Sequence, residues 1–280
     1  PVEEVNYSKE NPLKEFFILT GGFFAVAFVV LFILGLLAQS LAHFIPFRYE
    51  QELVSGYSFM YTGESDSDLA IYLQQLADDL AQAQQLPDEM TIQVQFLDMA
   101  DVNAYATFAG SIAVTRGLLE RMPNENALAM VIAHEIAHIK HRHPISSLSR
   151  GVVIQLGLSL LSLGSGETAI QSALGTTGLM TVLTFSRSEE ELADKEGIQT
   201  LNAYYGHVNG ATTIFEVLSE EEIKLYQPEF LSSHPLLDNR IEAMKKMTNE
   251  NGWRESGRLK PLPESIQKLQ SLFEARSNND

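Results

Sequence analysis

Asn124-Glu125-Asn126-Ala127-Leu128-Ala129-Met130-Val131-Ile132-Ala133-His134-Glu135-Ile136-Ala137-His138 is the stretch from which the rest of the chain is read. Asn124 is a good N-cap residue, and an apolar run follows it. The expectation is a helix from Glu125 to about Arg142 that stops before Pro144. Residues four apart on a helix share a face, so the imidazoles of His134 and His138 are placed to grip one Zn²⁺ together. Glu135 stands beside them, placed as a general base that deprotonates a water at the metal.

Two histidines leave zinc one protein ligand short. The chain has no cysteine, so the remaining donor is histidine or carboxylate. A third histidine in the pattern H-E-x-x-H-x-x-G-x-x-H is excluded, because His141 and Pro144 stand where Gly and His are needed. The best alternative lies in Phe185-Ser186-Arg187-Ser188-Glu189-Glu190-Glu191-Leu192-Ala193-Asp194-Lys195-Glu196-Gly197. Successive helix residues point about 100° apart, so the three glutamates cannot all face one ion. Glu190 and Asp194 are four apart and share a face. That spacing allows Glu190 to ligate while Asp194 accepts a hydrogen bond from a ligand imidazole.

The 280 residues are 45% hydrophobic, enough for one large domain with an appendage. A formal charge of −17 argues against nucleic acid or anionic lipid as a ligand. The chain opens on Pro1 rather than Met, as expected of a processed or trimmed polypeptide. No Asp, Glu, Lys or Arg occurs from Phe16 to Phe47. The apolar core of that run, residues 16–38, is long enough as a helix to cross a bilayer. The expected order is a leader over 1–15, a transmembrane helix over 16–43 and a linker over 44–64. Lys9 and Lys14 before the segment and Arg48 after it favour a cytoplasmic N-terminus. In a Gram-negative bacterium that orientation means a single-pass inner-membrane protein with a periplasmic domain. A second apolar region, Gly151 to Phe185, is broken at Gly164-Ser165-Gly166-Glu167. It reads as two buried helices beside the metal helix, or alternatively as a membrane-dipping hairpin.

The globular part reads as mainly α with a small β-sheet, an α+β domain over 65–250 followed by a helical tail over 251–280. Leu69, Leu73, Leu76 and Leu80 form one stripe of a helix between Asp66 and Leu86. Met90 to Leu97 alternates as a strand, and Asn103 to Val114 reads as a hairpin or two short strands around Ala109-Gly110-Ser111. Helices follow over Thr181–Tyr205, Ala211–Leu225, Pro235–Met247 and Pro263–Arg276.

Three matches together resemble one family: the membrane and envelope zinc metallopeptidases of the HtpX, BepA/Oma and CAAX prenyl endopeptidase type, the forty-eighth metallopeptidase family. The first is H-E-x-x-H at His134 to His138. The second is S-R-x-x-E-x-x-A-D-x-x-G at Ser186, Arg187, Glu190, Ala193, Asp194 and Gly197. The third is Asn103-Ala104-Tyr105-Ala106 leading through Gly110 to Gly117-Leu118-Leu119. The resemblance implies a zincin-like (gluzincin) fold with one Zn²⁺ per chain. It makes Glu190 the third ligand, rather than Glu189 or Glu191. It also sets His234 and Arg240 near the active site, where either helps a developing oxyanion. The implied activity is cleavage of unfolded or misfolded polypeptides, with envelope proteins as the expected clients. The strand Gly110-Ser111-Ile112-Ala113-Val114 is read as pairing with extended substrate. The alternative is a non-cleaving chaperone or adaptor in membrane protein quality control.

Overall fold

The computed structural model describes residues 11–42, 44–55, 67–161, 184–219, 234 and 239–277. In chain order the elements are α1 (Pro12–Ala42), α2 (Phe47–Ser55), α3 (Asp68–Ala83), β1 (Gln93–Leu97), β2 (Ala104–Ala106) and β3 (Ser111–Thr115). Then come α4 (Arg116–Arg121), α5 (Glu125–Lys140), α6 (His143–Leu161), α7 (Arg187–Tyr205), α8 (Thr213–Ser219), α9 (Arg240–Asn251) and α10 (Glu264–Ser277). The fold is mostly helical with a small three-stranded sheet, as the sequence reading expects.

The middle of the domain is α5. Asn124 caps it by accepting the Ala127 N–H at 2.9 Å. Its residues from Asn126 to Ile139 are buried, as a helix apolar on all sides requires. α7 and α3 pack against it. Gly197 lets α7 approach, since a Cβ there would lie 2.8 Å from Met130 Cε and 3.5 Å from the His134 backbone nitrogen. Residues 181–183 of the expected long helix lie outside the described residues, and α7 begins at Arg187 with Ser186 as its cap.

The sheet order is β1-β3-β2, with β1 parallel and β2 antiparallel to β3. This corrects the expectation for Gly110 to Val114. Ile112, Ala113 and Val114 of the central strand are paired on both sides, and Ser111 pairs with Gln93 of β1 while its carbonyl accepts the Thr107 N–H at 2.7 Å, so they offer no free ladder to a substrate. Gly110 sits in the preceding turn with φ +80°, where a Cβ would clash with Thr91 O at 1.8 Å. Among the described strands, β2 is the edge beside the metal helix.

Packing continues past positions 65 and 250. In α2, Phe47 and Glu50 are buried against the turn before β3. At the other end, Leu262 and Ile266 join the main core, and Gln270 Nε2 donates to Leu119 O and Met122 O at 3.0 and 2.7 Å. α1 is long and apolar: an 18-residue stretch within Pro12–Leu37 has a mean hydropathy of 2.7, and none of it is buried. α6, the first part of the second apolar region, packs chiefly along α1, with a smaller contact on α5. Residues 162–183 of that region lie outside the described residues.

Candidate metal centre

The ligand candidates arrive from separate parts of the chain. His134 and His138 lie one turn apart on α5, and their Nε2 atoms face each other at 3.0 Å. Glu190, on the first turn of α7, puts Oε2 3.5 Å from His134 Nε2 and Oε1 3.4 Å from His138 Nε2. His234 brings Nδ1 to 3.3 Å from His134 Nε2 and 2.9 Å from Glu190 Oε1. One donor atom from each of these four residues lies within 4.8 Å of the others, and all four side chains are buried. Ligand atoms around a tetrahedral ion with bonds of ~2.1 Å sit ~3.4 Å apart, so these separations suit a small divalent metal.

Two further observations fit a cation here. Glu190 is buried, with Oε2 between His134 Nε2 at 3.5 Å and Arg240 Nη1 at 3.2 Å, so its carboxylate faces the donor cluster. Desolvation lowers the pKa of His134, but hydrogen bonds to Asp194 and Glu190 outweigh it and push the value up to about 10. The field that favours a proton at His134 also favours a metal ion. For His138, burial dominates and drives the pKa well below its usual value, so that ring is neutral and has a lone pair to offer. Burial opposes ionisation of Glu190, yet the neighbouring histidines hold its pKa far below the carboxylate range.

Asp194 Oδ1 lies 3.1 Å from His134 Nδ1. Arg240 grips the same carboxylate, with Nε to Oδ2 at 2.7 Å and Nη2 to Oδ1 at 2.6 Å. Its Nη1 lies 3.2 Å from Glu190 Oε2. Buried with two carboxylates, Arg240 braces the metal-side acids. Burial opposes its charge, but Asp194 more than compensates and its pKa rises.

Glu135 is fully buried. Its Oε2 accepts the Ala106 N–H at 2.7 Å, and its Oε1 lies 3.4 Å from His234 Nε2. Oε1 accepts no hydrogen bond among the described residues. Desolvation raises its pKa, partly offset by His234 and His134. The free oxygen, aimed beside the donor cluster, is what a proton-transfer carboxylate needs.

Several participants carry no spacing signal in the sequence. His143 meets His138, Nδ1 to Nδ1, at 2.8 Å. Phe185 stacks on the His138 ring at 3.8 Å between centroids. Glu50 ties Arg142 to the turn before β3: Arg142 Nε donates to Glu50 Oε1 at 2.8 Å, and Ala109 N–H donates to Glu50 Oε2 at 3.1 Å. No helical spacing links these residues, so no periodicity announces them.

Residues 68–248 match Peptidase family M48. The beta-barrel assembly-enhancing protease of Escherichia coli is 29% identical over 164 residues, 54% of this chain and 33% of that protein. The mitochondrial metalloendopeptidase OMA1 of Saccharomyces cerevisiae is 29% identical over 153 residues, 52% of this chain and 44% of that protein. Protease HtpX of Haemophilus ducreyi is 32% identical over 184 residues, 53% of this chain and 63% of that protein. The chain thus spans about a third of the length of the beta-barrel assembly-enhancing protease it matches. The family match takes in every element that supplies the donor cluster, and covers well over half of the 280 residues: this chain belongs to peptidase family M48.

Proposed function

We propose that this chain is a membrane-anchored zinc endopeptidase that cleaves unfolded or misfolded polypeptides. The observation that carries the reading is the approach of His134, His138 and Glu190 to 3.0–3.5 Å beside the free Oε1 of Glu135. Two imidazoles and a carboxylate, with no thiolate, suit Zn²⁺. A zinc ion held by His134, His138 and Glu190 would supply Lewis acidity to the scissile carbonyl and to water. Glu135 then takes the proton of the attacking water on Oε1 and returns it to the leaving amine nitrogen.

His234 makes a fourth donor, whereas a catalytic zinc keeps three protein ligands and one open position. We assign it as the group that gives way during turnover. Arg240 acts through Asp194 and Glu190, holding His134 and the third ligand in place. The edge of β2 replaces β3 as the substrate-binding strand. Ala106 N–H already points at Glu135, so an extended peptide laid along β2 lies next to the general base. A compact protein has no free strand to add, which favours unfolded clients.

The 26 residues of Pro12–Leu37 rise about 39 Å as a helix, enough to cross the ~30 Å hydrocarbon core. Lys9 before the helix and Lys14 in its first turn, with Arg48 after it, support a catalytic domain on the outer face, periplasmic in a Gram-negative cell. Envelope proteins are then the reachable clients. Glu135→Gln in the full chain tests the chemistry. It keeps the wild-type zinc content and loses about 10²–10⁴-fold in hydrolysis of unfolded casein. Undiminished hydrolysis would exclude Glu135 as the base.

A further inference from the structure

We infer that His143 is a positioning residue for the metal centre, accepting the Nδ1–H of His138 and so fixing which nitrogen of that ligand faces the ion. The inference rests on the zinc reading above. The two Nδ1 atoms lie 2.8 Å apart, with ring centroids at 4.9 Å and planes at 68°. One of the two nitrogens carries the proton. His138 Nε2 points at His134 and Glu190, so it must keep its lone pair to ligate. In a neutral ring the proton is then on Nδ1, and His143 Nδ1 is the acceptor with its own proton on Nε2.

The contact is built by the backbone rather than by helix periodicity. On a continuous helix, residues five apart point about 140° away from each other. Here α5 ends at Lys140 and Arg142 turns back with φ 58°, a left-handed conformation unusual for a side chain of that size. That turn starts α6 at His143, with Pro144 in its first turn, and swings the imidazole beneath His138. Arg142 is held by Glu50 Oε1 and by Ile45 O, the latter at 2.8 Å. Phe185 stacks on the ring of His138 at 19° and also meets His143, centroids 6.0 Å apart, which limits rotation of both imidazoles.

The choice of a neutral acceptor has an electrostatic reason. His134 is already oriented by a carboxylate, Asp194. Glu135, Glu190 and Asp194 are all buried, with Arg240 paired to Glu190 and Asp194. A fourth anion under His138 adds desolvation cost and like-charge repulsion. An imidazole gives the same acceptor without a charge.

The test uses the full-length protein in detergent and compares His143→Leu, which fills the site without an acceptor, with His143→Asn, whose Oδ1 reaches the place of Nδ1. Zinc affinity is measured by competition with a chromophoric chelator, and folding by near-UV circular dichroism of the zinc-saturated protein. The expected result is a 10–100-fold weaker affinity for His143→Leu, and affinity within about threefold of wild type for His143→Asn. Equal affinity in wild type and folded His143→Leu overturns the inference, as does an equal loss in both variants. If His143→Leu does not fold, ¹⁵N-histidine spectra of the wild type decide: a proton on His143 Nδ1 overturns the assignment, and one on His138 Nδ1 supports it. A wild type that binds no zinc removes the metallopeptidase reading and this inference together, whereas the other outcomes bear on His143 alone.

Discussion

Glu189, Glu190 and Glu191 are chemically identical neighbours with three different tasks, set only by the turn of a helix. Glu189 closes a capping box: its Oε2 accepts the Ser186 N–H at 2.6 Å, and Oε1 pairs with Arg150 at 3.1 Å. Glu190 points into the donor cluster, while Glu191 is exposed. Neutral substitution therefore gives three outcomes. Glu190→Gln loses zinc, Glu189→Gln keeps zinc and loses about 1 kcal/mol of stability, and Glu191→Gln changes neither beyond ~0.5 kcal/mol. Zinc analysis with urea titration separates them, and loss of zinc in Glu191→Gln contradicts the assignment. Much of this was legible beforehand. The four-residue spacings in 134/138 and 190/194 state a shared helix face, and the structure brings those residues together. His143 was not legible, because its approach depends on one left-handed residue, Arg142, and nothing in the run His141-Arg142-His143-Pro144 demands that conformation.

Between elements, the site depends on how closely α7 lies on α5 and on what α2 holds. Gly197 faces Met130 and the His134 backbone. Gly197→Val is expected to separate the two helices, costing about 1–3 kcal/mol and weakening zinc binding with it. Unchanged zinc affinity in that variant would show that Glu190 reaches the metal from a looser packing. Glu50 serves two positive-φ residues, Ala109 and Arg142, at once. Glu50→Ala leaves a buried guanidinium and a buried N–H without their carboxylate, with an expected loss of about 3–5 kcal/mol in urea unfolding. A loss below 1 kcal/mol contradicts the clamp. Glu125, at the start of α5, accepts hydrogen bonds from Tyr72 of α3 and Tyr205 of α7 at 3.1 and 2.9 Å. Burial and the Glu125 charge raise both phenol pKa values in the folded state. Their contribution is complete below the unfolded phenol pKa of about 10 and is lost as pH rises toward the higher folded values. Thermal melts should therefore fall above about pH 10 in wild type and fall less steeply in Tyr205→Phe. Helix positions follow from Asn124, Pro144 and the leucine stripe. Strand order does not, because alternation identifies strands without saying which one lies in the middle. The sequence therefore points to Gly110–Val114 as a strand but cannot say that it lies in the middle of the sheet.

At the scale of the whole molecule, an acidic chain of charge −17 carries a largely apolar helix whose stretch Pro12–Leu37 has no buried residue. Such a helix is tolerated only in lipid, detergent or contact with another apolar surface. The helix α6 runs along it from the metal side, so the catalytic domain is tied to the anchor through packing as well as through sequence. These features matter only if the donor cluster holds its metal. Anomalous diffraction at the zinc edge from crystals of the full chain tests that most directly. The expected result is one ion about 2.1 Å from the Nε2 atoms of His134 and His138 and from a Glu190 oxygen. An ion bound elsewhere, or bound here without Glu190 or any other oxygen donor, contradicts it.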